Sequence, residues 1–172
     1  MRHSGDPAST ARAIIAANLY MVLATADERG QPWASPVYYA PRGLSEFIWV
    51  SRPDALHSRN IAARPEISIV IFDSSVPIGR GQGVYMAAVA EQLTGEARRD
   101  AIESFSRRSS GHGGGEFTVG DVEPPAELRL YRATADVHYV LGETDLRIPV
   151  DVSAPASRGG QLPSAARRRP RP

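Results

Sequence analysis

Short β-prone runs, separated by still shorter turn-forming segments, fill the first third of this chain. Residues 19–26 and 33–40 flank the segment Asp-Glu-Arg-Gly-Gln-Pro, and a third run, residues 46–52, follows Pro41-Arg42-Gly43. Connections of this length leave no room for a crossover helix, so consecutive strands are predicted to be antiparallel. The pattern therefore argues against a doubly wound parallel sheet and favours an antiparallel meander.

The remainder of the chain continues this pattern with few helices. Helices are predicted at residues 7–18, capped by Ser9 or Thr10, at 55–64, capped by Asp54, and at 97–108. Further strands are predicted at residues 67–72, 83–93, 128–133 and 136–141. The continuous apolar run at 67–72 suggests a strand covered on both faces, and the last two strands suggest a closing hairpin. About six antiparallel strands indicate a closed or nearly closed barrel.

The charge distribution separates one domain, residues 1–152, from a tail at 153–172. The tail holds five arginines and no acid, whereas the whole chain has a net charge of +1, which leaves residues 1–152 at −4 with neutral histidines. A tail rich in Pro, Ser, Gly and Arg is expected to be disordered. A negatively charged folded part gives no indication of nucleic-acid binding.

Residue types that are missing exclude several kinds of chemistry. The chain has no cysteine, so disulfides, thiolate nucleophiles and iron–sulfur clusters are excluded. All twenty basic residues are arginine, which excludes Schiff-base chemistry on a lysine and a P-loop lysine.

No apolar run reaches the roughly 18 residues of a membrane span, and the first residues show no signal-peptide pattern. We expect a cytoplasmic protein without membrane contact.

Motifs for hydrolysis and metal binding are also missing. The sequence contains neither Gly-x-Ser-x-Gly nor His-Glu-x-x-His, and its four histidines are scattered. We therefore expect no metal site and no dedicated catalytic side chain.

The segment from residue 49 to 61, Trp-Val-Ser-Arg-Pro-Asp-Ala-Leu-His-Ser-Arg-Asn-Ile, concentrates hydrogen-bond donors. A strand end delivers Ser51 and Arg52, and the first turn of the following helix delivers His57, Ser58 and Arg59. Such donors at a strand end and a helix N-terminus suit a phosphate group. The alternative is that the arginines are solvated charges and Ser51 simply ends a strand; spacing alone does not decide between the two.

Four ordered pieces carry a family resemblance: LATADERGQPWASPVYYA, FIWVSRPDALHSRNI, ARPEISIVIFD and GQGVYMAAVAEQL. Together with the later LRLYRA and HYVLG, they resemble the pyridoxamine 5′-phosphate oxidase-like family of flavin-binding proteins over roughly residues 10–150. The resemblance implies an antiparallel split β-barrel of about six to seven strands with a few short flanking helices. The true oxidase's basic cluster near the C-terminus has no counterpart here, where Arg147 is the only basic residue of GETDLRIPVDV.

The resemblance also implies which residues hold the cofactor FMN. Backbone of one strand runs beside the flavin ring, the next strand end approaches the ribityl chain and phosphate, and a long strand from a neighbouring subunit completes the site. The residues at these positions are Ser35, Pro36 and Val37; Val50, Ser51 and Arg52; and Gln82, Gly83 and Tyr85. His57 takes the position of a phosphate-binding lysine, with Arg59 as a weaker candidate. If His57 binds as the imidazolium, FMN affinity should fall between about pH 6 and 8.

The expected function is that of an FMN-dependent oxidoreductase, a homodimer that transfers hydride from or to a small-molecule partner. A related alternative is a deazaflavin-dependent reductase, in which Arg42 and Arg80 would meet the longer acidic cofactor tail. Two non-enzymatic alternatives are a flavin-binding or storage module and a structural dimer with an empty groove.

Overall fold

The computed structural model describes residues 6–142 and 145–152. Within them lie three α-helices, eight strands and one 3₁₀ turn. In chain order these are α1 (Pro7–Ala17), β1 (Tyr20–Ala26), β2 (Pro32–Tyr38), β3 (Ala40–Arg42), β4 (Glu46–Ser51), α2 (Leu56–Ala63), β5 (Glu66–Phe72), β6 (Gly83–Gln92), α3 (Gly95–Gly111), the 3₁₀ turn (Val119–Val122), β7 (Arg129–Leu141) and β8 (Arg147–Pro149). The predicted tail, 153–172, lies outside the described residues.

All strands belong to one antiparallel sheet in the order β2-β1-β5-β6-β7-β4-β3, with β8 paired to β7. Strands β2 and β3 stand at opposite ends of this order, yet only Tyr39 separates them along the chain. The sheet therefore has to curl until its two ends meet. Tyr39 is fully buried at this junction, and its hydroxyl donates to the carbonyl of Ile15 in α1 at 2.7 Å. The mainly β, barrel-like fold predicted from the sequence is confirmed.

Two apolar clusters lie on the two faces of the curled sheet. The larger one, inside the curl, includes Met21, Phe47, Trp49 and Ile69, and Trp49 stacks on Tyr131 with ring centroids 5.5 Å apart. The smaller one lies under α3 and includes Ile48, Ile102, Phe105, Val122 and Leu130. Successive residues of β4 thus point to different clusters, as strand geometry requires.

The pairing of the third predicted strand differs from a meander. Strand β4 pairs with β3 and β7 rather than with β2. After β2 the chain passes through the buried Tyr39, so the hairpin of β3 and β4 lies at the opposite end of the strand order from β2.

The predicted closing hairpin is also wrong, since residues 129–141 form one strand of 13 residues. A register shift between Ala87 and Ala88 leaves Asp136 without a partner on β6, so the predicted turn is a β-bulge.

Two further local predictions are corrected. Strand β5 is not covered on both faces: Ile67, Ile69 and Ile71 are buried, while the alternate positions are exposed or half-buried. Helix α1 is capped by Asp6, whose carboxylate accepts from the amides of Ala8 and Ser9 at 3.3 and 3.2 Å. A cap one residue before Pro7 suits the preference of proline for the first helical turn.

Candidate functional site

Ser51 and His57 meet where β4 ends and α2 begins. Ser51 Oγ and His57 Nε2 lie 2.7 Å apart, within hydrogen-bond distance. Only 9% of His57 is exposed, and burial lowers the pKa of its imidazole below the ordinary value of 6.5. Burial therefore favours the neutral ring at pH 7, whereas the conditional prediction of pH-dependent FMN binding requires an imidazolium. The predicted loss of FMN affinity between pH 6 and 8 thus applies only where a bound phosphate raises the pKa of this imidazole again.

The N-terminus of α2 has no side-chain cap. Its N-cap residue is Ala55, which accepts no bond through its side chain, and the first turn carries no acid. The predicted cap, Asp54, instead accepts from Arg52 Nε at 3.1 Å. The first amide N–H groups of α2 are thus left without side-chain acceptors, and the positive end of the helix dipole lies beside Ser51. This arrangement attracts an anion.

Two arginines flank this helix end. Besides its bond to Asp54, Arg52 donates to Glu127 Oε2 at 2.5 Å, in ion pairs that are largely exposed to solvent. Arg59 donates through Nη1 to the main-chain carbonyl of Asp54 at 2.9 Å. The structure therefore brings Ser51, Arg52, His57 and Arg59 to one end of the sheet, as the sequence predicted.

A chain of buried hydrogen bonds fixes α2 against the β1–β2 hairpin. Asn60 Nδ2 donates to Thr25 Oγ1 at 3.1 Å, and Thr25 Oγ1 donates to the carbonyl of Trp33 at 3.2 Å. Both Asn60 and Thr25 are almost fully buried. The sequence analysis did not predict this hydrogen bond between α2 and β1. Asn60 could have suggested it, because its amide side chain lies three residues after His57 and therefore on the same face of the helix.

Strand β2 lies at an edge of the sheet, where its backbone can contact a ligand. The residues whose backbone groups face this edge are not the predicted set of Ser35, Pro36 and Val37. The amide of Tyr39 donates to the carbonyl of Leu19, so the backbone groups of Val37 and Ser35, two and four positions earlier, also face β1. No described strand pairs with the other edge of β2, toward which the groups of Ala34, Pro36 and Tyr38 point. Pro36, which has no N–H, suits this edge. Only the Pro36 carbonyl of the predicted trio is therefore available there.

Within one chain, the predicted residues on β6 lie far from Ser51. Along β7, Arg129 pairs with Ser51, while Tyr139 pairs with Tyr85. Ten residues of strand separate these two positions, roughly 33 Å along the strand. Gln82 and Gly83 lie just beyond Tyr85 at the beginning of β6, and Val50 is half-buried opposite Leu130. A single chain thus holds two separated halves of the predicted site.

Apolar side chains predominate on the outer face of the sheet around Tyr85, although Arg147 lies over the Tyr85 ring with its guanidinium carbon 3.9 Å from the centroid. Pairing places Val22, Val70, Tyr85 and Tyr139 in one row across four strands, and Ala87 and Val137 in the next. Val89 and Phe72, on the same face, are about half exposed. We call these eight residues the outer apolar face. Exposed apolar surfaces are typical of interaction sites.

The arginines considered for a deazaflavin tail do not extend the Ser51 cluster. Arg42 lies opposite Glu46, with which it forms an ion pair at 3.5 Å. Glu46 begins β4 and Ser51 ends it, so five residues, roughly 17 Å, separate Arg42 from the cluster. Arg80 lies in the β5–β6 connection, before Gly83.

The sequence and the fold were compared with known proteins. A family model described as pyridoxamine 5′-phosphate oxidase matches residues 8–137. The chain belongs to this family. No curated protein sequence matches it at a significant level.

Solved structures of the same fold include ligand-binding proteins. A heme binding protein from Mycobacterium smegmatis has a TM-score of 0.65 and 22% identity; the match covers 88% of this chain and 60% of that protein. The heme storage protein HutZ from Vibrio cholerae has a TM-score of 0.62 and 16% identity, covering 77% and 92%. A FAD-binding protein from Mesorhizobium loti has a TM-score of 0.56 and 22% identity, covering 77% and 90%. At these identities, the similarity supports the fold alone.

Neither a metal-binding cluster nor a membrane-spanning helix occurs within residues 6–142 and 145–152. No three His, Asp or Glu side chains are grouped so as to hold a metal ion. None of the described helices has both the length and the apolar character needed to cross a membrane.

Proposed function

We propose that this chain is an FMN-binding oxidoreductase that acts as a homodimer and transfers hydride between small molecules. The observation that carries the proposal is the uncapped N-terminus of α2 beside the Ser51–His57 pair. Free amide donors, a hydroxyl, an imidazole and two nearby guanidinium groups together fit a phosphate monoester.

The residues of this cluster have complementary tasks in holding a phosphate. The first-turn amides of α2 and the Ser51 hydroxyl donate to its oxygens, and neutral His57 orients the hydroxyl through the 2.7 Å contact. Arg52 supplies the charge. Its present partners, Asp54 and Glu127, are exposed, so exchanging them for a phosphate costs little. Arg59 adds a second guanidinium at the rim.

The flavin ring would lie along the free edge of β2. Backbone groups of Ala34, Pro36 and Tyr38 are available there for hydrogen bonds to the ring. Gln82 and Gly83 of a second copy would complete the pocket. Within one chain these two residues lie near the end of β7 opposite to the end that pairs with Ser51, too far away to share a ligand. The bound flavin itself supplies the hydride chemistry, and the protein contributes position and environment.

A non-enzymatic ligand-binding role is the alternative. Two of the similar structures are named for heme binding or storage and one for FAD binding. A deazaflavin-dependent reductase is a further alternative, although Arg42 does not support it.

The first experiment is the visible absorption spectrum of the purified protein, before and after incubation with FMN and desalting. Retained bands of oxidised flavin would support the proposal, and faster oxidation of a reduced nicotinamide than with equal free FMN would support the enzyme over the storage module. A Soret band would support heme binding, and the band of a deazaflavin would support the reductase. A colourless protein that retains no FMN would contradict the proposal.

The role of the cluster is tested by Ser51→Ala, titrated with FMN and with riboflavin, which has no phosphate. We expect FMN affinity to fall about tenfold, equivalent to about 1.4 kcal/mol, with riboflavin affinity unchanged. Ser104→Ala, on α3, is the matched control and should change neither affinity. Equal losses for FMN and riboflavin would place the phosphate elsewhere.

A further inference from the structure

A cleft lies between α1, the β3–β4 turn and α3, at the opposite end of β4 from Ser51. Its volume is about 430 Å³, within the range of small-molecule sites. Its lining includes Arg12 and Ala16 of α1, Leu44 and Ser45 of the turn, and Arg108 of α3. The residues Ile15, Pro41, Gly43 and Val152 complete it.

The lining of this cleft carries two arginines, one of which, Arg12, also lowers the pKa of the Asp6 carboxyl through its charge. None of its described lining residues is acidic. The lining also includes four aliphatic side chains, those of Ile15, Pro41, Leu44 and Val152. A ligand that matches this lining has an anionic group and a compact apolar body.

Arg108 is held in place without a carboxylate partner among the described residues. Its Nη2 donates to the carbonyl of Asn18 at 2.8 Å and lies 3.5 Å from that of Ala16, while its guanidinium carbon lies 5.4 Å from the centroid of the Tyr39 ring. The two carbonyl groups and the face of the Tyr39 ring compensate the positive charge of Arg108 only in part. They also hold its side chain in one position. Arg108 is therefore preorganised for an anion, which lowers the ordering cost of binding.

From this geometry we propose that the cleft is a binding site for a small aliphatic or aromatic carboxylate, separate from the FMN site. The carboxylate contacts Arg108, with Arg12 beside it, and the apolar body covers Ile15 and Leu44. The site is distinct from the proposed phosphate cluster because Leu44 precedes β4 and Ser51 is the last residue of that strand, roughly 20 Å away along the chain.

The test is a titration of the full chain with octanoate, followed by amide NMR shifts, with 1-octanol as the neutral probe of equal length. We expect saturable shifts at Ile15, Leu44 and Ser45 with octanoate and at least tenfold weaker binding of octanol. Arg108→Gln should weaken octanoate binding at least tenfold, whereas Arg107→Gln, an exposed neighbour paired with Glu103, should leave it unchanged.

A second pair of variants keeps the test decisive if Arg108→Gln does not fold. Ala16 is exposed and lines the cleft, while Ala17, also exposed, does not. Ala16→Phe should fill the cleft and abolish octanoate shifts, and Ala17→Phe should not. Octanol binding equal to octanoate, shifts clustered elsewhere, or equal behaviour of the two phenylalanine variants would overturn the proposal.

Discussion

Two buried imidazoles lie in environments that a histidine, usually a residue that can carry charge near pH 7, does not suggest. His57 contacts Ser51, and His138, 2% exposed, donates through Nε2 to the carbonyl of Leu44 at 2.6 Å. Burial lowers the pKa of both rings, so each is neutral in the folded protein at pH 7. Their roles are therefore those of hydrogen-bonding groups rather than of cations.

These lowered pKa values predict a pH-dependent stability. Below the unfolded-state pKa of 6.5 the unfolded chain binds protons that the folded chain does not, so the free energy of unfolding falls as pH decreases toward the folded-state values. Each histidine contributes a slope of at most about 1.4 kcal/mol per pH unit. Urea unfolding at pH 7.5, 6.5 and 5.5 measures it. We expect His57→Gln to reduce the slope, and an exposed-site control, His112→Gln, to retain it. An unchanged slope in His57→Gln would contradict a buried neutral ring.

At the scale of elements, the position of α2 depends on the Asn60–Thr25–Trp33 hydrogen bonds. Because these groups are buried, removing Asn60 leaves Thr25 without its donor and costs about 1–3 kcal/mol of stability. We expect Asn60→Ala and Thr25→Val to be non-additive, with a coupling energy of at least about 0.5 kcal/mol in a double-mutant cycle. Chemical denaturation of the two single variants and the double variant measures it.

The same variants also test whether this link positions the cluster. If it holds α2 in place, Asn60→Ala should weaken FMN binding, although Asn60 does not belong to the proposed phosphate contacts. Additive stability changes with unaltered FMN affinity would show that helix position does not depend on this hydrogen bond.

For the whole molecule, the proposed site needs two copies, and the outer apolar face is the surface that we expect to join them. Ala87→Arg places a charge between Val137 and Ser68, its neighbours on β7 and β5. We expect this variant to be monomeric in sedimentation and to lose FMN, while Ala17→Arg, on an exposed position of α1, stays dimeric. A monomeric wild type that binds FMN would refute the shared site.

Complementation between subunits tests the shared site directly. Ser51→Ala and Gln82→Ala each damage a different half, so a mixed dimer has one site with both defects and one intact site. Random mixing of the two variants should restore about one quarter of all sites to wild-type FMN affinity. If both halves came from one chain, mixing would restore none.

Sequence reasoning located the candidate site better than it described its chemistry. The donors of residues 51–59 were predicted because they are close along the chain, and the structure brings them together. The neutral state of His57, the uncapped helix and the Asn60 link were missed. The state of His57 depends on burial and the Asn60 link on partners from β1 and β2, which no local pattern encodes. The helix lacks its predicted cap because Asp54 pairs with Arg52 instead.

The sequence by itself determined the three helices, most of the strands, the antiparallel direction of consecutive strands and the family, because alternation, short turns and the order of motifs are local properties. Only the tertiary structure decided that β4 pairs with β7, that residues 129–141 form one bulged strand, and that Ser51 and Gln82 stand apart. Strand partners and register are chosen by contacts between residues distant in the chain. Those contacts form only when the sheet curls around its buried core.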